Sequence, residues 1–226
     1  MTPREQQYLS SFGRNRGRSL RPYQQGLVDG LLPTLAVNAA NPREGKYEKL
    51  ALEIGFGGGE HLVAQAAHNP DTLFIGCEPF INGVAKCLAA IDQQKLKNIR
   101  LFTQDARELI TAMPENSVDS VFILFPDPWP KLRHNKRRLV NLQTLSMLAR
   151  IHKPGGRLLL ATDHVDYSVW MFEVLQHTPH YRWTAQAQAD WQTPPADWTE
   201  TKYQRKTSAE GREPVFIECV RNAPSV

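Results

Sequence analysis

Asp127 lies in the run Phe125-Pro-Asp-Pro-Trp-Pro-Lys131, which continues directly into Leu-Arg-His-Asn-Lys-Arg-Arg138. Pro126, Pro128 and Pro130 each fix φ and lack an N–H, and each restricts the residue before it, so Asp127 has little freedom in how it points. Five of the eight residues from Lys131 to Arg138 are Lys or Arg. A rigidly held carboxylate can stabilise positive charge that develops at a reacting centre, and a dense basic run attracts a polyanion. An ordinary β-to-α loop followed by a solvated helix start would explain either feature alone. Their coincidence points to an active site that meets a polyanion.

The surrounding elements must hold that turn in place. Lys49–Ile54, Thr72–Cys77 and the segments 98–103, 120–125 and 157–162 read as buried strands. Between them, Glu60–His68, Ala106–Ala112 and the segments 84–94, 139–152 and 164–177 read as helices, with Lys153-Pro-Gly-Gly156 stopping the helix before the fifth strand. A helix interrupted at Pro33 is expected over 23–36, and a final strand over 214–220. Such alternation predicts an α/β, Rossmann-like, mostly parallel sheet with helices on both faces. A basic N-terminal arm over 1–44, looking weakly ordered, precedes one domain over 45–226. Each of the five strands ends at an acid: Glu53, Glu78, Asp105, Asp127 and Asp163. The ligand crevice of an open parallel sheet lies outside these carboxyl ends, so the five acids read as a functional cluster.

The turn after the first strand, Gly55-Phe-Gly-Gly-Gly59, allows close approach of backbone to a ligand. Read as the dinucleotide pattern GxGxxG, it fits at Gly55 and Gly57 but has Glu60 at the third position. A carboxylate there opposes a pyrophosphate at the helix N-terminus. A cofactor with no phosphates and a positive centre fits better, and S-adenosylmethionine has both properties. Glu78, 25 residues after Glu53, is placed to accept both ribose hydroxyls, and Asp105 to accept from the adenine amino group.

The chain of 226 residues carries 41% hydrophobic and 22% charged residues with a net charge of +4, so clustering of charge matters more than its total. Arg14, Arg16, Arg18 and Arg21 form a second basic cluster, which suits a folded polyanion or simply solubilises the surface. The three cysteines, Cys77, Cys87 and Cys219, form no CxxC pair. Buried thiols in a reducing compartment explain them better than a disulfide or a metal site. No apolar run approaches the roughly 20 residues of a membrane span, and the N-terminus lacks the apolar run of a signal peptide. A cytoplasmic location follows by default.

Taken together, Phe125-Pro-Asp-Pro-Trp-Pro-Lys-x-Arg-His-x-Lys-Arg-Arg138, the Glu53-Ile-Gly-Phe-Gly-x-Gly loop, Ala161-Thr-Asp163 and Thr201-Lys-Tyr203 resemble the bacterial tRNA (guanine-N7)-methyltransferases over nearly the whole chain. The first of these segments is highly specific, whereas the glycine loop is shared by many methyltransferases. The resemblance implies methyl transfer from S-adenosylmethionine to N7 of guanine 46 in the tRNA variable loop, with tRNA as the partner. It implies cofactor contacts at Glu53, Gly55, Gly57, Glu78, Asp105 and Asp127, with Asp127 also the catalytic position. It implies substrate contacts at Lys131, Asp163, Thr201, Lys202, Tyr203 and Gln204, and RNA contacts at Arg133, His134, Asn135, Lys136, Arg137 and Arg138. Where the family commonly has Glu, this chain has Gln204, an amide that donates as well as accepts. No obligatory protein partner is evident.

The chemistry agrees with these residue types. Guanine N7 has an in-plane lone pair and no proton, so the reaction needs positioning more than a base. Asp127 and Asp163 suit the positive charge that moves onto the purine. Asp163 reads equally as the N-cap of the helix that follows. Trp129 is expected in the core rather than stacked on a base, and His134 as a phosphate or solvent contact. A methyltransferase for another RNA or a small molecule, or a non-catalytic RNA-binding module on the same fold, are the alternatives.

Overall fold

Leu50 to Ile54 of β1 (Lys49–Ile54) and Leu73 to Cys77 of β2 (Thr72–Cys77) are buried on both faces, which requires helices above and below the sheet. The computed structural model describes residues 17–43 and 46–223. The other strands are β3 (Ile99–Phe102), β4 (Val118–Leu124), β5 (His152–Thr162), β6 (Tyr181–Trp183) and β7 (Val215–Arg221). All seven form one sheet in the order β3-β2-β1-β4-β5-β7-β6. β1 to β5 are parallel, and β7 runs antiparallel between β5 and β6. Winding reverses between β1 and β4, where Ile54 sits opposite Ile123. That reversal opens a crevice at the carboxyl ends of the two strands.

Side chains alternate across the strands and build a core on each face. Leu50, Leu52, Leu73 and Ile75 pack beneath α4 (Ala106–Ala112), α5 (Leu142–Ile151) and α6 (Val165–Gln176). Ala51, Phe74 and Leu159 pack beneath α2 (Glu60–His68) and α3 (Ile81–Gln94). A short α7 (Ala189–Gln192) and then α8 (Lys202–Ala209) lie between β6 and β7. The three cysteines are buried and unpaired, and no helix of the described residues is long and apolar enough to cross a membrane.

Several boundaries differ from the sequence expectation. The N-terminal helix, α1 (Pro22–Gly30), gives way at Leu31 to a 3-10 turn over Leu32–Leu35, so Pro33 opens the second element instead of interrupting the first. These residues do not form a loose arm. Tyr23 donates to Asp92 on α3 at 3.0 Å, Ala36 bridges to Leu101 of β3, and Asn82 holds Gly17 N and Arg18 O at 2.8 and 2.7 Å. Arg14 and Arg16, and the boundary at 44/45, lie outside the described residues. β5 begins at His152, because His152 pairs with Val118 and the ladder then shifts before Arg157 meets Ser120. Lys153-Pro-Gly-Gly156 is therefore an irregularity within the strand, as a bulge accommodates. β6 and α8 had no counterpart in the sequence reading.

Candidate active site

The crevice is built by loops that leave neighbouring strands in step. Gly55 N donates to Cys77 O at 2.7 Å, Glu78 N to Phe102 O at 3.0 Å and Phe125 N to Ala161 O at 2.8 Å. The ladder thus continues one residue past each strand before the loops open outward. They enclose a cleft of about 1110 Å³. Pockets that bury one drug-sized ligand measure roughly 300–1,000 Å³, and a cleft just above that range leaves room for a cofactor and a base together. Gly55, Gly57, Glu78, Asp105, Asp127, Asn135 to Arg138 and Tyr203 all line it.

The glycine turn fits a ligand that needs close backbone approach. Gly55 and Gly57 have φ of +78° and +56°, and a Cβ on either would meet no protein atom within 4 Å. Backbone conformation demands glycine at both positions, and the space beside them is open to the cleft. Behind the turn, a Cβ on Gly83 would lie 2.2 Å from Gly57 O, so α3 is pressed against the loop.

Glu78 fastens this loop. Its Oε2 accepts from Gly57 N at 2.8 Å and its Oε1 from Phe80 N at 2.9 Å. Burial pushes its pKa up, the two N–H donors pull it down, and the nearby Asp127 charge raises it further. Each carboxylate oxygen has a second lone pair for a ribose hydroxyl. Asp105 also lines the cleft, but it works as the N-cap of α4. Its Oδ1 accepts from Arg107 N at 3.0 Å and Arg107 Nε at 2.9 Å, and Arg107 Nη2 lies 2.5 Å from Oδ2. Glu53 does not line the cleft. It is buried beneath the loop with Oε2 2.7 Å from His61 Nδ1, so the structure places this acid as a support for α2 instead of on the cleft wall.

The proline turn is strained on both sides of its acid. Phe125 and Trp129 have φ of +50° and +45°, a region costly for bulky side chains and found where surrounding structure and function fix the backbone. Asp127 is exposed on the cleft wall between them. Trp129 is half-buried, not in the core as expected. Its left-handed backbone sits beside the 3-10 turn Leu132–Arg137, where Arg137 lies 4.9 Å over the ring and His134 meets it edge-on at 5.8 Å. Lys131, Arg133 and Lys136 are exposed along this turn. Desolvation, and then the charges of Arg137, Arg133, Lys131 and Lys136, lower the pKa of His134. The side-chain oxygen of Asn135 is buried without a hydrogen-bond partner at the cleft wall.

Arg138 departs from the expected RNA contact, being only 1% exposed. Its Nε donates to Pro128 O at 2.9 Å, Nη2 pairs with Asp166, and the guanidinium lies 5.0 Å from the Tyr167 ring and 5.1 Å from Trp170. A cation so enclosed cannot reach a phosphate. It braces the Asp127 turn from inside.

The C-terminal segment adds Tyr203 to the cleft wall. Tyr203 packs 5.3 Å from Phe125 and donates to Asp163 Oδ1 at 3.3 Å. Arg212 Nη1 lies 2.5 Å from Asp163 Oδ2, a charge contact without hydrogen-bond alignment. Burial and the Asp163 charge raise the Tyr203 pKa. Asp163 is not the N-cap of α6, a position taken by His164. Thr201 caps α8 by accepting from Gln204 N at 3.1 Å. Gln204 is buried and its Oε1 accepts from Trp198 Nε1 at 2.7 Å, which ties up the side chain expected at the substrate. Lys131, Arg133, His134, Asp163, Thr201, Lys202 and Gln204 lie off the cleft wall. Arg212 and Trp198 went unrecognised because nothing in the local pattern marks partners so distant in sequence.

The sheet order, the glycine turn and the acid-bearing cleft at the winding reversal define a Rossmann-like domain of the class I methyltransferase type. The aminoglycoside resistance methyltransferase NpmB1 shares this fold, with a TM-score of 0.55 at 18% identity over 79% of this chain and 90% of that one. Residues 47–217 match the family model described as "Putative methyltransferase". The chain is 46% identical over 217 residues to the tRNA (guanine-N(7)-)-methyltransferase of Caulobacter sp. (strain K31), covering 94% of this chain and 95% of that protein. Against the protein of the same name from Rhodopseudomonas palustris (strain BisA53) it is 44% identical over 222 residues, covering 95% and 89%. The chain belongs to the tRNA (guanine-N(7)-)-methyltransferase family.

Proposed function

We propose that this protein transfers a methyl group from S-adenosylmethionine to N7 of a guanine in tRNA, at position 46 of the variable loop, in the cytoplasm. The observation that carries the reading is the continuity of the site. A cleft large enough for cofactor and base holds the strained Asp127 turn, and that turn leads straight into exposed Lys131, Arg133 and Lys136. The cofactor supplies a methyl group on a positively charged sulfur. Gly55 and Gly57 give it backbone room, Glu78 receives the ribose hydroxyls, and Asp105 borders the adenine. Because guanine N7 has no proton to lose, the protein orients the base and offsets moving charge. Asp127 does the second at the cleft wall. Tyr203, set by Asp163 and Phe125, bounds the base, while Lys131, Arg133 and Lys136 take the neighbouring phosphates.

The test is incubation of the full chain with labelled cofactor and unmodified tRNA, followed by mass-spectrometric mapping of the modified nucleotide. Label on N7 of guanine 46 is the expected result. Label only in ribosomal RNA, or at another tRNA nucleotide, would refute it.

A further inference from the structure

Glu60 occupies the place where a dinucleotide site has its third glycine, and the proposed chemistry gives it no task. It does not line the cleft. Its Oε2 accepts from Lys202 N at 2.5 Å, across 142 positions of sequence, with Oε1 3.6 Å from Lys202 Nζ. The side-chain pair is exposed and contributes little; the backbone contact matters more. The first N–H groups of a helix have no partner within it, and α8 carries no acid in its own first turn. Thr201 Oγ1 satisfies Gln204 N, and Glu60 satisfies Lys202 N with a charge matched to the helix dipole.

Glu60 is not the sole tie. His61 lies 5.3 Å from the Trp198 ring, and Gln65 Nε2 donates to Asp197 O at 2.5 Å. The helix that begins right after the glycine turn therefore carries the segment that presents Tyr203 to the cleft.

We infer that Glu60 is a positioning residue that couples the glycine turn to the substrate-facing helix α8, so that cofactor and tRNA bind with positive cooperativity. The inference rests on the function proposed above. Coupling between two binding sites is reciprocal, so it can be read from tRNA affinity alone. Losing one helix cap changes a local equilibrium by roughly fivefold to tenfold, and this is the coupling expected to vanish with Glu60.

The experiment measures the tRNA dissociation constant with and without saturating S-adenosylhomocysteine for the full chain, Glu60→Ala, Glu60→Gln and Glu60→Asp. The unaltered chain should bind tRNA about fivefold or more tightly with the product present. In Glu60→Ala that ratio should fall by about fivefold, His61 and Gln65 carrying any remainder, while cofactor-product affinity without tRNA stays within about twofold. Glu60→Gln should keep most of the ratio, since its amide oxygen still accepts from Lys202 N, and Glu60→Asp should lose it through shorter reach. If Glu60→Ala does not fold, the contrast between Gln and Asp decides. An unchanged ratio in Glu60→Ala or Glu60→Asp, or no ratio in the unaltered chain, overturns the inference while tRNA methylation persists. Failure of the unaltered chain to methylate tRNA would instead remove the functional reading and this one with it.

Discussion

Arg138 and its neighbours in the basic run should separate sharply when changed. Truncating Arg138 to Ala removes a charge-assisted bond to Pro128 O, at a cost of about 1.5–3 kcal/mol for a charged donor. Two ring contacts with Tyr167 and Trp170 add about 0.5–2 kcal/mol. The Asp166 pair adds little, because that side chain is 61% exposed and regains water. With the cavity left behind, the cost is about 3–5 kcal/mol, a large share of the roughly 5–15 kcal/mol that holds a domain together. For a chain of this size the melting temperature should fall by about 10 °C. Urea or thermal unfolding reads this directly. Arg138→Met, which refills most of the volume, should recover part of the stability but still lack the Pro128 anchor. Below the transition, tRNA affinity and its salt dependence should remain near those of the unaltered chain. Unchanged melting together with weakened tRNA binding would refute the argument and return Arg138 to the RNA surface.

Asp127→Ala should slow methyl transfer by about a hundredfold at saturating cofactor, as expected when one preorganised electrostatic group is removed; a near-normal rate excludes it from the chemistry. Arg133→Ala with Lys136→Ala should weaken tRNA binding and flatten its log–log salt slope by somewhat less than one unit for each phosphate left unneutralised, checked by titration at several salt concentrations. His152 is fully buried, with its ring nitrogens 3.2 Å from Tyr181 Oη and 3.3 Å from Asp119 O, and burial lowers its pKa to about 4. The unfolded chain, whose histidine titrates near 6.5, therefore binds more protons between these values. Stability present above pH ~6.5 should be lost as the pH falls toward ~4, by on the order of 3 kcal/mol. His152→Gln should flatten that limb of the pH–stability curve, and an equally steep limb would assign it to other groups.

The central sheet was legible because its strands are short, apolar on both faces and punctuated by glycine, proline or acid. Lys49–Ile54, Glu60–His68 and Thr72–Cys77 match the expected bounds to the residue. Local pattern failed where tertiary contact decides. β6 is three residues long and pairs only with β7. α8 is held by Glu60 and Trp198 from outside its own polar sequence. At the site, the same limit divides the acids. Sequence placed five of them at strand ends, but could not tell Glu78, which faces the cleft, from Glu53, which faces His61. Nor could it separate the buried Arg138 from the exposed Lys136 beside it, because both belong to one basic run whose turn geometry sets which side chain points inward.

The position of β7 governs how the molecule can be made. Until Val215–Arg221 leaves the ribosome, β5 has one unpaired edge along Arg157 to Thr162, the six residues that β7 later pairs. That edge includes Leu158, Leu159 and Leu160, an adhesive template for other nascent chains. β6 waits too, since β7 is its neighbour in the sheet. A chain released early, or clipped before Val215, would keep the glycine turn and the Asp127 loop on a half-finished sheet while the wall bearing Tyr203 had nowhere to dock. Synthesis thus finishes the substrate side of the cleft last, and a truncated product is an aggregation hazard before it is a defective enzyme.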